Sequence, residues 1–336
     1  AATTGANNVA MGYLAANDIT TGEYNVALGI YALDANTTAS NNTAVGAHAL
    51  GANTTGTRNT AVGKDAGLVA TTGDDNTFIG HDSGDSVTTA SDNTAVGSYS
   101  LTDNTTGASN VAIGYSSLER NTTASNNTAV GHQALLLQTT GNYNTALGSN
   151  AGDSVTTGSN NTIIGYAADP SSATVNSEIV IGYAANGNGA TTVTFGIGAT
   201  ETYIGMGQTS WSGSSDERLK ENITTSTAGL SFINELRPVT FEWKNKGDIP
   251  SELKGYEEGS IEKYNENDKL CHGFIAQEVK EVIDAHPEIG SGHGIWGVKP
   301  EGTQSIAQGQ LIPMLTKAVQ ELSAKVEVLE DKLNNK

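Results

Sequence analysis

The sequence predicts a mainly β solenoid followed by a mixed α/β domain that ends in a coiled-coil helix. Three observations carry this fold class. Glycine recurs every seventeen residues from Gly12 to Gly182, composition breaks near residue 210, and an apolar heptad closes the chain. The domain boundaries that follow are 1–192 for the repeats, 193–212 for a β transition and linker, and 213–336 for the C-terminal module.

Each repeat centres on a stretch such as Asn42-Thr43-Ala44-Val45-Gly46, followed three places later by a small residue and then by a Thr-Thr-Gly or Thr-Ala-Ser turn. Five residues of alternating character bounded by Gly, Asn and Thr read as a short strand, whereas helical repeats need about 33 residues or more. Stacked coils place identical residues about 4.8 Å apart, so the asparagines can form a hydrogen-bonded ladder and the aliphatic residues an apolar column. Eleven register glycines then give a stack of roughly 50 Å. The glycine itself is expected at a positive-φ bend or a close backbone approach. With one large aliphatic residue per coil the core of a lone chain is thin, which favours association of several chains.

Composition separates two modules. Before residue 200 the basic residues are Arg58, Lys64 and Arg120, and the proline is Pro170; all three Trp lie at or beyond Trp211. The net charge of -19 leaves no basic stripe for phosphates, so nucleic acid is not an expected partner. No apolar run approaches the ~18 residues of a membrane span, and membrane insertion is not expected. The single cysteine, Cys271, excludes an intramolecular disulfide and reads as a small buried side chain. The chain opens in mid-repeat without a signal sequence, so a further N-terminal anchor is expected upstream.

The Asn-Thr-Ala-Val-Gly coils, over about residues 7–190, resemble the head repeats of YadA-type trimeric adhesins. That resemblance implies parallel β-rolls packed as homotrimers. The period is longer than the shortest repeats of that kind and no membrane-anchoring β-barrel follows, so an autotransporter is disfavoured.

Chemistry within the array is sparse. Asp74-Asp75 and Asp82 with Asp85 could bind calcium but do not recur at fixed positions, and they read as solvated turn residues. Tyr13, Tyr115, Tyr166 and Tyr183 follow register glycines and could stack on sugars; rim packing is the simpler reading. No metal and no cofactor are expected.

From Val193 to Trp211 the period fails and β-prone residues close the stack. Ser214 with Glu217 then forms an S-x-x-E capping box, the signature of a polar linker entering a helix. A second reading takes Ser215 as a nucleophile and Lys220 as its general base. This needs a lysine whose pKa is lowered by burial or by positive charge, Arg218 being the nearest source. Five residues apart, the two cannot share a helix face, so Ser215 must lie in the extended segment and Lys220 on the first turn or beyond.

Three ordered motifs decide between these readings: Ser215-Asp216-x-Arg218-Leu219-Lys220-x-Asn222-Ile223, Ile233-x-x-Leu236-Arg237-Pro238-Val239-Thr240-Phe241-x-Trp243, and Gly273-Phe274-Ile275-Ala276-Gln277-Glu278-Val279. They resemble the intramolecular chaperone domain of endosialidases and phage tail fibres, the S74 self-cleaving peptidase family. The resemblance implies autoproteolysis by a Ser-Lys dyad at Ser215 and Lys220, with the cut between Ser215 and Asp216.

The remainder reads as mixed α/β: a helix through Leu230–Ile233, a strand Val239–Trp243, a polar excursion from Lys244 to Asp268, and a helix Phe274–Ile283. His272, His286 and His293 lack metal-ligand spacing and read as surface or satisfied core histidines. Ile312, Leu315, Val319, Leu322, Val326, Leu329 and Leu333 form a heptad seam that should associate, although Val at a and Leu at d do not by themselves specify three strands.

Together these point to a viral tail fibre, synthesised in the host cytoplasm and carried on the virion, that meets a cell-surface receptor, a glycan among the candidates. The competing reading is a bacterial surface adhesin with a non-cleaving C-terminal trimerisation domain. A glycan-degrading fibre lacks a recognisable carboxylate pair.

Overall fold

The computed structural model describes residues 4–198, 200–205, 208, 212–213, 215, 217–265, 270–289, 294–299 and 302–335. The chain divides into two compact units, Ala1–Asp216 and Glu217–Lys336.

The first unit is a β-solenoid of seventeen-residue coils. Its strands are three residues long, such as Thr43–Val45 and Thr60–Val62, shorter than the five-residue runs of the sequence pattern. The asparagine that opens each run leaves the strand because its side chain bonds across coils. Successive strands pair in parallel with a constant offset of seventeen, Thr43 opposite Thr60 and Val45 opposite Val62. Identical side chains therefore stack in columns.

Each coil from Gly12 to Gly148 closes through glycine and three left-handed corners, and those of Gly165 and Gly182, where Asp169 and Asn186 fill the third place, through two. Gly46 has a φ of +138°, and a Cβ there would lie 2.2 Å from the carbonyl oxygen of Gly63. No side chain fits that approach, which explains the unbroken register. The corners fall five before, two after and four after the glycine, as at Asn41, His48 and Leu50, with φ of 64°, 58° and 50°.

The core is not the aliphatic column before the glycine. Met11 is 69% exposed and Leu147 49%, because strand residues alternate faces and this column points outward. The interior instead holds the middle strand residue, usually alanine, as at Ala44, together with the small residue three after the glycine, as at Ala49. A leucine four after the glycine, such as Leu50, Leu101, Leu118 or Leu135, completes it. Where that leucine is replaced by Gly67, Gly84 or Gly152, a larger residue arrives from the strand: Phe78 packs against Gly67 and Gly84, and Ile163 against Gly152. The volume is conserved while its source changes.

Three polar ladders hold neighbouring coils together. Each asparagine in the column four before the glycine accepts the backbone N–H of the residue seventeen on, Asn25 from Asn42 at 3.0 Å and Asn42 from Asn59 at 2.9 Å. Its Nδ2 donates to a carbonyl fourteen residues on, Asn42 to Gly56 at 2.9 Å. Thr54 donates to Thr71 O and Thr71 to Thr88 O, at 3.1 and 3.0 Å. Six before the glycine, Ser, Asp and Asn side chains accept from the preceding coil, as Asp74 does from Thr57 N–H at 2.6 Å. A buried polar group is costly unless satisfied, and the ladders satisfy most of them; among the described residues Asn53 Oδ1, Asn121 Oδ1 and Thr194 Oγ1 are buried without a partner.

The stack ends where the period shortens. Ile179–Ile181 pairs with Thr192–Ile197 at an offset of fourteen, and the chain then reverses into antiparallel pairing with Thr200–Gly205, against which Ser212–Gly213 adds a last short strand. Glu178, in the asparagine column and fully buried, accepts from Ser171 N–H at 2.9 Å, Ser171 Oγ at 3.0 Å and Gly189 N–H at 2.7 Å. The longer carboxylate reaches donors that the shortened coil no longer matches to an asparagine.

The second unit is small and mixed α/β. Helix α1 (Leu230–Glu235) begins after Gly229, which supplies no capping side chain; Glu321 accepts the Leu230 N–H at 2.9 Å in its place. Strands Val239–Phe241 and Cys271–Gly273 pair antiparallel, ahead of helix α2 (Ala276–Ala285). A hairpin of Trp296–Val298 with Gln304–Ile306 leads through a 3-10 turn, Gln308–Leu311, into α3 (Ile312–Asn334). Phe232, Leu236, Val279, Ile283, Ile295 and Leu311 form the core. Along α3, Ala318 is buried, whereas the heptad residues from Ile312 to Leu333 are between 45 and 74% exposed. Helix α2 is displaced by two residues relative to the sequence pattern, since Gly273 ends a strand and Phe274-Ile275 link it to the helix, and the strand Val239–Phe241 stops two residues short of Trp243.

Candidate active site

The segment around the predicted nucleophile runs from the last strand of the solenoid sheet, Ser212–Gly213, to a single 3-10 turn, Glu217–Leu219. Ser215 lies between them outside any helix or strand and is exposed. Lys220 follows the turn, its N–H donating to Glu217 O at 3.0 Å, and its side chain is exposed, as is that of Arg218. No α-helix grows from this turn; α1 begins only at Leu230. Ser214 and Asp216 lie outside the described residues, and with them the capping box and the second residue of the expected cut. Ser215 belongs to the first unit and Lys220 to the second.

One backbone feature here escaped the sequence reading. Asn222 has a φ of +54°. Asparagine is among the few residues that adopt this conformation readily, and its place two after Lys220 was the available signal.

The remaining candidates resolve into structural contacts. Asp75 forms a bidentate pair with Arg58 at 2.6 and 2.7 Å, which holds its carboxyl below the usual range, while Asp74 serves the backbone ladder. Asp65, His81 and Asp82 place potential ligand atoms within 4.8 Å of one another, but Lys64 pairs with Asp65 and His81 Nδ1 lies 3.0 Å from Asp82. Burial pushes the Asp85 carboxyl up. The tyrosines stack on their neighbours: Tyr115 on His132 at 5.4 Å and Tyr166 on Tyr183 at 5.3 Å, both 13° from parallel. In these two pairs ring faces that a sugar would cover are turned toward the next coil, whereas Tyr13 meets Tyr31 edge-on at 5.6 Å.

Asp169 stands where most coils carry leucine or glycine. Burial, countered by a 2.8 Å bond from Ser154 Oγ and reinforced by the nearby Asp153, pushes its carboxyl up to about 6. In the second unit His286 is buried against Phe232, with Nδ1 2.6 Å from Glu288 and Nε2 3.2 Å from Glu235. The Glu288 bond, with help from Glu235, raises its pKa. This is a satisfied core histidine. His272 is exposed on its strand, and His293 lies outside the described residues. Cys271 is half-buried in its strand rather than fully enclosed, since that strand pairs along one edge only.

Against known families, residues 215–287 match the model described as the chaperone of endosialidase. This segment is similar to the endosialidase chaperone family. The match begins at Ser215, the predicted nucleophile, and takes in the three motifs of the sequence. No curated protein matches the chain, and no solved structure does. Among the described residues, no helix is long and apolar enough to cross a membrane. The match thus starts where the solenoid sheet has ended, two residues beyond Gly213.

Proposed function

We propose that the protein is a trimeric tail-fibre component whose chaperone domain assembles three solenoids in register and then releases itself by cleavage between Ser215 and Asp216. Ser215 Oγ attacks the scissile carbonyl while Lys220 removes its proton and returns it to the leaving Asp216 amine, and water then hydrolyses the ester so formed to free the Ser215 carboxylate. The observation that carries this reading is a coincidence of boundaries. The chaperone match starts at Ser215, and the two compact units part between Asp216 and Glu217. A cut at this place removes no strand from the solenoid sheet, whose last strand is Ser212–Gly213.

Association is supported by two exposed apolar surfaces. The outward column from Met11 to Ile181 runs the length of the stack, and the α3 seam is unpartnered on a single chain. Covering them removes apolar area from water at about 25 cal/mol per Å². Lys220 is exposed on the single chain, whereas a lysine base works only when desolvated. Assembly supplies the missing enclosure, so cleavage follows trimerisation. A slip of one whole coil preserves every ladder, which is why an external clamp is needed to set register between chains. Removing the clamp leaves a stack that can unfold only slowly.

The test is the size of the expressed protein on a denaturing gel. Wild type should yield two fragments, while Ser215→Ala and Lys220→Ala should each remain whole. Persistence of full-length wild-type chain in assembled material contradicts the reading and favours a non-cleaving adhesin.

A further inference from the structure

Left-handed backbone at a residue other than glycine is costly, by roughly 1–2 kcal/mol, and persists where the surroundings require it. In the solenoid every such residue occupies one of the three periodic corners, and even Thr191, in the shortened last coil, stands five before Gly196. These corners explain themselves, because the coil cannot close without them. Among the described residues one non-glycine lies outside this pattern, and it is Asn222. No repeat calls for a corner there.

Asn222 follows the 3-10 turn Glu217–Leu219, whose end is marked by the bond from Lys220 N–H to Glu217 O. The turn ends at Leu219, and beyond Lys220 and Glu221 the left-handed backbone of Asn222 sends the chain away in a new direction. The backbone of Lys220 is thereby held between a closed turn on one side and a reversal on the other. A flexible four-carbon side chain gains from such anchoring, since a general base must be held within hydrogen-bond reach of its proton.

We propose that Asn222 is a positioning residue for Lys220, acting through its left-handed backbone conformation rather than through its side chain. The inference rests on the self-cleavage reading and deepens it. Residues that accept positive φ should therefore serve in its place, and those that resist it should not. Asn222→Gly and Asn222→Asp should cleave within about twofold of wild type. Asn222→Ala should cleave about 5- to 30-fold more slowly, the range that 1–2 kcal/mol implies at 1.36 kcal/mol per tenfold, and Asn222→Val at least as slowly.

The experiment follows cleavage of assembled full-length chain over time across pH 6–9 for these four variants, with wild type and Ser215→Ala as references and sedimentation to measure assembly. The expected result is a lower plateau rate for the Ala variant, with an unchanged pH midpoint, unchanged assembly and rescue by glycine. A glycine variant as slow as alanine, an Ala variant as fast as wild type, or a loss that tracks failed assembly overturns the inference while leaving the dyad intact. An uncleaved wild type, or processed Ser215→Ala, removes the self-cleavage reading and this inference with it.

Discussion

The ring of Phe78 occupies the space that a side chain at Gly84 would need: a Cβ built there lies 2.4 Å from Phe78 Cδ1. In the following coil the same two positions hold Ala95 and Leu101, so one interior volume is filled from opposite walls. Phe78→Ala alone should cost about 3–5 kcal/mol through the cavity it leaves. Adding Gly84→Leu should recover part of that loss, whereas Gly84→Leu alone should destabilise. A double-mutant cycle read by denaturant unfolding should give a coupling of about 1–3 kcal/mol, and additive effects would show that the two positions do not share this space.

The register glycine predicts a larger effect from a smaller change. At Gly131, φ is +142° and a Cβ would lie 2.2 Å from Gly148 O. Gly131→Ala should cost more than about 3 kcal/mol, combining backbone strain with a backbone clash that no rotamer relieves. Ala134→Gly, in the same coil, should be far milder. Thermal unfolding of the isolated solenoid separates the two.

Glu178 should be indispensable to the end of the stack. Glu178→Ala removes the acceptor of the part-buried N–H groups of Ser171 and Gly189, at about 1 kcal/mol each. Hydrogen exchange should show loss of protection over residues 171–192 first, with the middle coils unaffected. Glu178→Gln, which keeps an acceptor oxygen, should lose less.

The two units should respond to pH in different windows. Asp169, raised to about 6 from 3.8, favours the protonated folded state. Its contribution is full below the unfolded value and is lost as pH rises through about 6, so the coils around it should be better protected at pH 4.5 than at pH 7. Asp169→Asn should flatten that dependence. His286 is raised above 6.5, so the stabilisation it gives the chaperone domain is full below 6.5 and disappears as pH climbs through the raised value. His286→Gln should remove the pH dependence of melting in that domain alone.

Much of this molecule is legible in its sequence because a stack repeats its physics. The asparagine ladder follows from a fixed period and a fixed residue, and the parallel pairing at an offset of seventeen adds little that the spacing had not implied. The core was harder to see. Val62 and Ile113 look like interior residues, yet strand alternation turns them outward while Ala61 and Ala112 point in. Hydrophobicity by itself misleads where the larger apolar residues face out of the coil. The exchange between Phe78 and Gly84 joins residues on opposite walls of a coil, and no local pattern announces it.

At the candidate site the three motifs located Ser215 and Lys220, since residue type and order survive without geometry. The conformation of Asn222 did not show, because asparagine is equally at home in turns, ladders and caps. The capping box suggested a helix after Ser214, but the chain makes one 3-10 turn and leaves it. A helix of any length there would be stabilised only by an apolar face to bury, and residues 217–222 are all exposed.

The most direct test of the whole account is the intact mass of each species in assembled wild-type protein, with N-terminal sequencing of the smaller one. The account predicts two fragments, one ending at Ser215 and one beginning at Asp216, and a single uncut species for Ser215→Ala. An uncut wild type, or a break at any other peptide bond, contradicts it.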